Sequence, residues 1–304
     1  MLRFLLELLL CLLVGFWCGG RHPGLSVRLA QPLVRFGVPL SVMGLLLRGG
    51  LTDAVLKAAV LGPLVVGAWL VIVSISSARL APCSSALKLG SCVGNTAYVG
   101  VPLALAFLPE EALPITIGYD LGATLFTWSV GAWLLGGGTG ASSTAAVLQG
   151  LLRGVLGSPA SRGLLGALLV QWTPWHSSIA GVLWWPSRLV VLLALVVVGL
   201  RLGALDRERR IAGPLSPGLG MALLGKLLLF PLMLLVLGVL LQWDALMVQA
   251  LVLQGATPTA ISVLLIAESV DRDQRDAASL VFWSTVLALV TASLWGQGLP
   301  WLVG

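Results

Sequence analysis

Apolar residues run through this chain in ten long blocks separated by charge, proline or glycine, at about 2–20, 32–48, 54–76, 84–107, 112–136, 160–174, 181–202, 216–242, 245–267 and 276–298. A helix needs about 20 apolar residues to cross the hydrocarbon of a bilayer, so the pattern predicts ten transmembrane helices. The sixth block, SRGLLGALLVQWTPW, is short and rich in glycine. Glu7 interrupts the first block, and no small-residue cleavage site lies between Cys11 and Gly20, so this block reads as a retained helix rather than a secretory signal.

Composition points the same way. Hydrophobic residues make up 58% of the 304, charged residues 10%, and the mean hydropathy is +1.01. A soluble chain is about a quarter charged. This excludes a disordered chain, a nucleic-acid-binding domain and a disulfide-stapled secreted fold. The 18 Lys and Arg exceed the 12 Asp and Glu, but they are spread thinly through loops and form no binding patch. Cys11, Cys18, Cys83 and Cys92 sit in apolar stretches without metal-ligand spacing, and the two histidines, His22 and His176, fall in polar breaks. Walker A, GxSxG and HExxH motifs are absent, so the chain does not read as an enzyme, and no cofactor is expected. Energy for transport would come from a gradient.

Cytoplasmic loops hold the excess of Lys and Arg. Thirteen fall on the odd-numbered connections (Arg21, Arg28, Arg35, Arg79, Lys88, Arg153, Arg162, Arg201, Arg207, Arg209, Arg210, Arg272 and Arg275) and four on the other side (Arg3, Arg48, Lys57 and Arg188). Both termini are therefore expected to face outward across a cytoplasmic (inner) membrane. Trp172, Trp175, Trp184, Trp185, Trp243 and Trp301 fall near block ends, where an amphipathic ring anchors to the interface.

The Gly/Ser/Thr-rich stretch 137–159 reads as a linker between two five-helix repeats, 1–136 and 160–304. Gly94-Asn95-Thr96-Ala97-Tyr98-Val99-Gly100-Val101-Pro102 interrupts the fourth block, and Gly255-Ala256-Thr257-Pro258-Thr259-Ala260-Ile261-Ser262-Val263 the ninth. One such break is an ordinary kink. Two at the same ordinal place, in halves that enter the membrane from opposite sides, predict an all-α membrane protein with a 5+5 inverted repeat and broken, crossing fourth and ninth helices. Lipid cannot satisfy free backbone groups, so unwound stretches at membrane depth must be packed in protein or line a wet cavity. Pro102 and Pro258 lack a donor, while Gly94, Gly100 and Gly255 permit unusual backbone angles. The helix starts after each break carry partial positive charge and favour an anion. Asn95, Thr96, Thr257, Thr259 and Ser262 add donors and acceptors, so these residues with Gly100, Pro102 and Pro258 form the expected binding site for a small carboxylate.

At these motifs the chain resembles the auxin efflux carrier family of plant carriers and bacterial permeases. The resemblance extends through GNTAYVGVPLAL, IGYDLGATLFTWSVG, LGSPASRGLLGALL, LVVVGLRLG, LLGKLLLFPL and TPTAISVLLIAESVDRDQRDAASLVFWSTVLALVT. It implies a scaffold domain, a transport domain, elevator-like movement of the crossover, and contact of a carboxylate with Asn95 and the residues around Pro102 and Pro258. Many relatives have Asn four residues after the ninth-block proline; here that position is Ser262, a shorter donor.

Ionisable groups in lipid are functional candidates by default. Asp120, near Tyr119, Thr124 and Thr127, is either the group for proton or sodium coupling or a carboxylate satisfied by a neighbouring helix. Lys226 is expected to reach the interface along its stem rather than to pair with a carboxylate, and Glu268, capping the ninth block, to be solvated. The expected function is a secondary transporter for a small organic anion. The alternatives are a bile-acid-type sodium symporter and a non-transporting sensor or assembly subunit. Lipid and the anion are the expected partners, nucleic acid is not one, and a homodimer is left open.

Overall fold

The computed structural model describes residues 2–76, 84–136, 159–207, 211–213 and 216–303. The linker expected at 137–159 lies outside the described residues except for Pro159, as do Cys83 and the loop arginines Arg79, Arg153, Arg209 and Arg210. Helices follow in the order α1 (Leu2–Arg21), α2 (Pro23–Pro32), α3 (Val38–Gly49), α4 (Asp53–Ser76), α5 (Ser85–Gly90), α6 (Val101–Phe107), α7 (Leu113–Phe126) and α8 (Ala132–Leu135). After the undescribed stretch come α9 (Pro159–Gln171), α10 (His176–Arg207), α11 (Pro217–Leu224), α12 (Phe230–Leu240), α13 (Ala245–Gly255), α14 (Ile261–Ser269) and α15 (Gln274–Val303). Apart from one isolated bridge, no strand occurs among the described residues.

Among the described residues, five helical stretches are long and apolar enough to cross a bilayer: Gly24–Gly49, Asp53–Ile75, His176–Arg207, Gly218–Leu240 and Gln274–Val303. The fourth and ninth apolar blocks are helical but split, as α5 with α6 and α13 with α14. Four wide π turns interrupt the helices, at Leu33–Gly37, Thr96–Gly100, Thr127–Gly131 and Gly225–Leu229. Three of them precede a proline two residues beyond their end: Pro39, Pro102 and Pro231. A proline offers no N–H and its ring presses on the carbonyl four residues back, so widening the preceding turn relieves the clash. The carbonyl of Leu227, four residues before Pro231, is taken up by the Trp295 indole N–H at 3.0 Å.

The helices pack in two groups. In the first, α10 lies along α1, α2 and α3, and α9 along α3. The second holds α4 to α8 and α11 to α15, with α4 against α7 and α12 against α13. The seam between α1 and α10 is made of glycines on both sides. A Cβ on Gly199 would come within 2.9 Å of the Phe16 amide and 3.0 Å of Gly15 Cα, and Gly15, Gly19 and Gly203 are equally confined by opposing backbone. Small residues four apart on both helices let the backbones touch, which supplies the dispersion contact that association in lipid depends on. The two groups meet where α3 and α10 lie against α7 and the π turn at Thr96–Gly100.

Two ion pairs also tie the groups together. Arg48 of α3 lies 3.5 Å from Glu110, just before α7, and sits 4.9 Å above the Trp184 ring of α10. Arg201 of α10 pairs closely with Glu268 of α14, and both side chains are only about a fifth to a quarter exposed. Glu268 is thus not the solvated residue expected from its position; it is bonded across the group boundary. Arg201 is 17 residues beyond Trp184 on the same helix, so the two pairs are roughly 25 Å apart along α10.

Substituting leucine for Gly199 forces α1 and α10 apart. The expected loss is at least the roughly 1–3 kcal/mol of an overpacked core, read as a lower melting temperature of the purified protein in detergent.

Candidate functional site

The first break follows α5. Ser91 and Cys92 turn, Val93 and Gly94 run extended, and Asn95 (φ −78°, ψ 65°) precedes the π turn that leads into α6. The Asn95 carbonyl closes this turn, accepting from the amides of Val99 at 3.0 Å and Gly100 at 3.1 Å. The second break follows α13: Ala256 continues the turn, and Thr257 to Ala260 are non-helical before α14 begins at Ile261. The two breaks lie antiparallel across one another, with Gly94 opposite Thr259. The Asn95 amide donates to the Pro258 carbonyl at 2.7 Å, and the Ala260 amide donates to the Val93 carbonyl at 3.1 Å. Each unwound stretch therefore satisfies backbone groups of the other, as burial away from water requires.

Side chains complete the junction. The Thr259 amide donates to Ser284 Oγ at 3.0 Å, and the Thr259 hydroxyl donates to the Gly90 carbonyl at 2.9 Å. The Thr257 hydroxyl donates to the Gln254 carbonyl at 2.7 Å. The Thr96 hydroxyl donates to Asp120 Oδ1 at 2.5 Å. Trp69 of α4 steadies the first break from outside, its indole N–H bonding Ser91 Oγ at 2.9 Å.

The structure brings Asn95, Thr96, Gly100, Thr257, Pro258 and Thr259 to the crossing, all buried, while Pro102, also buried, lies in the first turn of α6. Ser262 is half-buried on the first turn of α14. Gly94, Gly100 and Gly255 do not use the left-handed backbone angles expected of them; among the described residues the glycine that does is Gly50. Their contribution is space. A side chain on Gly94 would strike Thr257 Oγ1, and one on Gly100 would strike the Gln254 carboxamide.

Asp120 is 5% exposed and also receives hydrogen bonds from Thr124 and the Ala97 amide. Thr127 turns away and bonds its own helix at the Ala123 carbonyl, 2.7 Å. Asp120 borders a cavity of about 20 Å³ between the two helix groups, which Ser41, Tyr98 and Val191 also line. That volume holds about one water molecule.

Both comparisons with known proteins are consistent with this setting. Residues 187–296 match the model of the family described as membrane transport protein, to which the auxin efflux carriers correspond. An uncharacterized transporter of Methanothermobacter thermautotrophicus is 29% identical over 213 residues. That alignment covers 69% of this chain and 66% of the relative, just under two thirds of its length. The likeness is to membrane transporters. With the long apolar helices, it marks a multi-pass membrane protein.

Two residues at this junction escape a reading of the sequence. Lys226, expected to reach the interface, is fully buried, and its Nζ donates to the Gly255 carbonyl at 2.5 Å. The π turn at Gly225–Leu229 carries it inward, beside the Phe230 ring at 5.3 Å. Gln254, on the last turn of α13, is also fully buried, and neither end of its carboxamide has a partner. Gln254 is the one polar residue in ALVLQG beside the break, a signal that was present but carried no direction.

Gly94→Ala should lower the melting temperature, and adding Thr257→Ala should recover part of the loss. A thermal double-mutant cycle is expected to give a coupling of about 0.5–3 kcal/mol; additive effects would mean that the two residues do not touch.

Proposed function

We propose that the protein is a secondary carrier of small organic anions, working by alternating access in a ten-helix inverted repeat of residues 1–136 and 160–304. The observation that carries this reading is the meeting of the two breaks, with helix starts converging from both halves on one buried polar junction. Such an arrangement is costly in lipid and unnecessary for packing alone. Asn95, Thr96, Gly100, Pro102, Thr257, Pro258, Thr259 and Ser262 form the substrate site in this reading. The hydroxyl protons of Thr96, Thr257 and Thr259 are already committed within the protein. These three residues therefore shape the site and offer lone pairs, while the Asn95 carboxamide brings a donor.

Alternating access follows as displacement of the group containing the breaks against the group containing α1, α3 and α10. Ion pairs at Arg48–Glu110 and Arg201–Glu268 bridge that boundary. A slide along α10 of more than a few ångströms breaks at least one of them. Asp120 faces the same boundary beside a water-sized cavity, which suits it to carry a proton or hold a small cation during the slide. The bias of Lys and Arg supports termini facing outward.

The double substitution Asn95→Ala with Thr257→Ala should abolish flux of a labelled dicarboxylate in vesicles while leaving folded protein abundant; normal flux would refute the site. Separately, Asp120→Asn should leave binding of the anion measurable but remove the dependence of uptake on an imposed proton or sodium gradient. Uptake that still follows the gradient would exclude Asp120 from coupling.

A further inference from the structure

An anion at the junction needs donors, and most of those nearby are spoken for. The backbone amides of Asn95, Thr257, Thr259 and Ala260 all donate within the crossing. The hydroxyls of Thr96, Thr257 and Thr259 do the same. A hydroxyl has one proton to give, so none of these three groups is left to meet a carboxylate.

Two side chains from the second half of the chain retain donors. Lys226 carries an ammonium with three, of which one goes to the Gly255 carbonyl. No carboxylate lies within ion-pair distance of it among the described residues. Its Nζ is 3.2 Å from where a side chain on Gly94 would start. Gln254 presents a carboxamide with neither Nε2 nor Oε1 bonded, laid directly on Gly100. Gly94 and Gly100 bracket the first break, so the second half reaches both ends of that break with an unspent donor. A buried charge without a counter-ion and a buried amide without a partner are each destabilising, and an anionic ligand relieves both.

We infer that Lys226 supplies the counter-charge, and Gln254 a directional hydrogen bond, for the carboxylate of the transported acid. This rests on the carrier reading above and names the residues that recognise its substrate. The glycines at 94 and 100 then have a second purpose, since a methyl group at either position would displace one of the recognising groups or the atoms beside it.

The test uses the purified full chain in detergent, with thermal stabilisation by succinate, malonate and propionate, and dimethyl succinate as the uncharged control. The unmodified protein should be stabilised by at least one acid and not by the ester, in proportion to the logarithm of occupancy. Lys226→Met should weaken that acid at least tenfold, and Lys226→Arg should restore part of the affinity. Gln254→Leu should melt higher than the unmodified protein without ligand, because an unpaired buried amide has gone, yet bind the acid several-fold more weakly. A merely structural glutamine would not move stability and affinity in opposite directions. If the acid stabilises the unmodified protein, and Gln254→Leu and a folded Lys226 variant bind it unchanged, the assignment is overturned while the carrier reading stands. If Lys226→Met does not fold, Lys226→Arg and Gln254→Leu decide. If no acid stabilises the unmodified protein at millimolar concentration, the carboxylate reading itself fails and takes this assignment with it.

Discussion

A peptide group taken out of its helix inside a bilayer has nothing to bond except other protein. That constraint organises this molecule. Two helices are interrupted, and the exposed amides and carbonyls are met by exchange between the interruptions: Asn95 with Pro258, and Ala260 with Val93. Each break is the other's hydrogen-bond partner, so neither leaves those backbone groups unmet. Ser284, Gly90 and Trp69 then fasten the pair to helices on either side.

Such closure narrows what the junction can offer a ligand. Amides that hold the crossing together cannot also grip an anion, and threonines whose protons bond carbonyls or Asp120 contribute shape. On the proposed carrier reading, recognition passes to the side chains left over, namely Asn95, Lys226 and Gln254. On that reading the division has a mechanical advantage: a substrate would enter and leave without unmaking the hydrogen bonds on which the crossing depends.

Much of this was legible in the sequence, and the omissions have physical causes. Hydropathy located apolar blocks that are largely helical where described, and five helical stretches among the described residues reach the length that lipid imposes. Proline and glycine located both interruptions because each acts on its own backbone. Neither signal says which way a side chain points. Lys226 has a stem long enough to reach water or to lie inward, and the π turn that decides the matter depends on Pro231 together with the helices around it. Gln254 looked like one polar residue among leucines. Glycines at 94 and 100 suggested backbone freedom, whereas the fold uses their lack of a side chain, and only the position of Thr257 or Gln254 reveals that. Glu268 read as solvated because its partner, Arg201, is 67 residues away in the sequence.

The glycine seam between α1 and α10 bears on how the first segment is to be understood. Gly15 lies on Gly199 at backbone distance, Gly19 on the backbone of Leu200, and Gly203 on the backbones of Phe16 and Gly20. Without that segment α10 would turn a shallow glycine groove to lipid and lose the backbone-to-backbone contact along it. The opening helix is thus the packing partner of α10, and a shortened chain starting after Arg21 would leave that side of the seam without its protein neighbour.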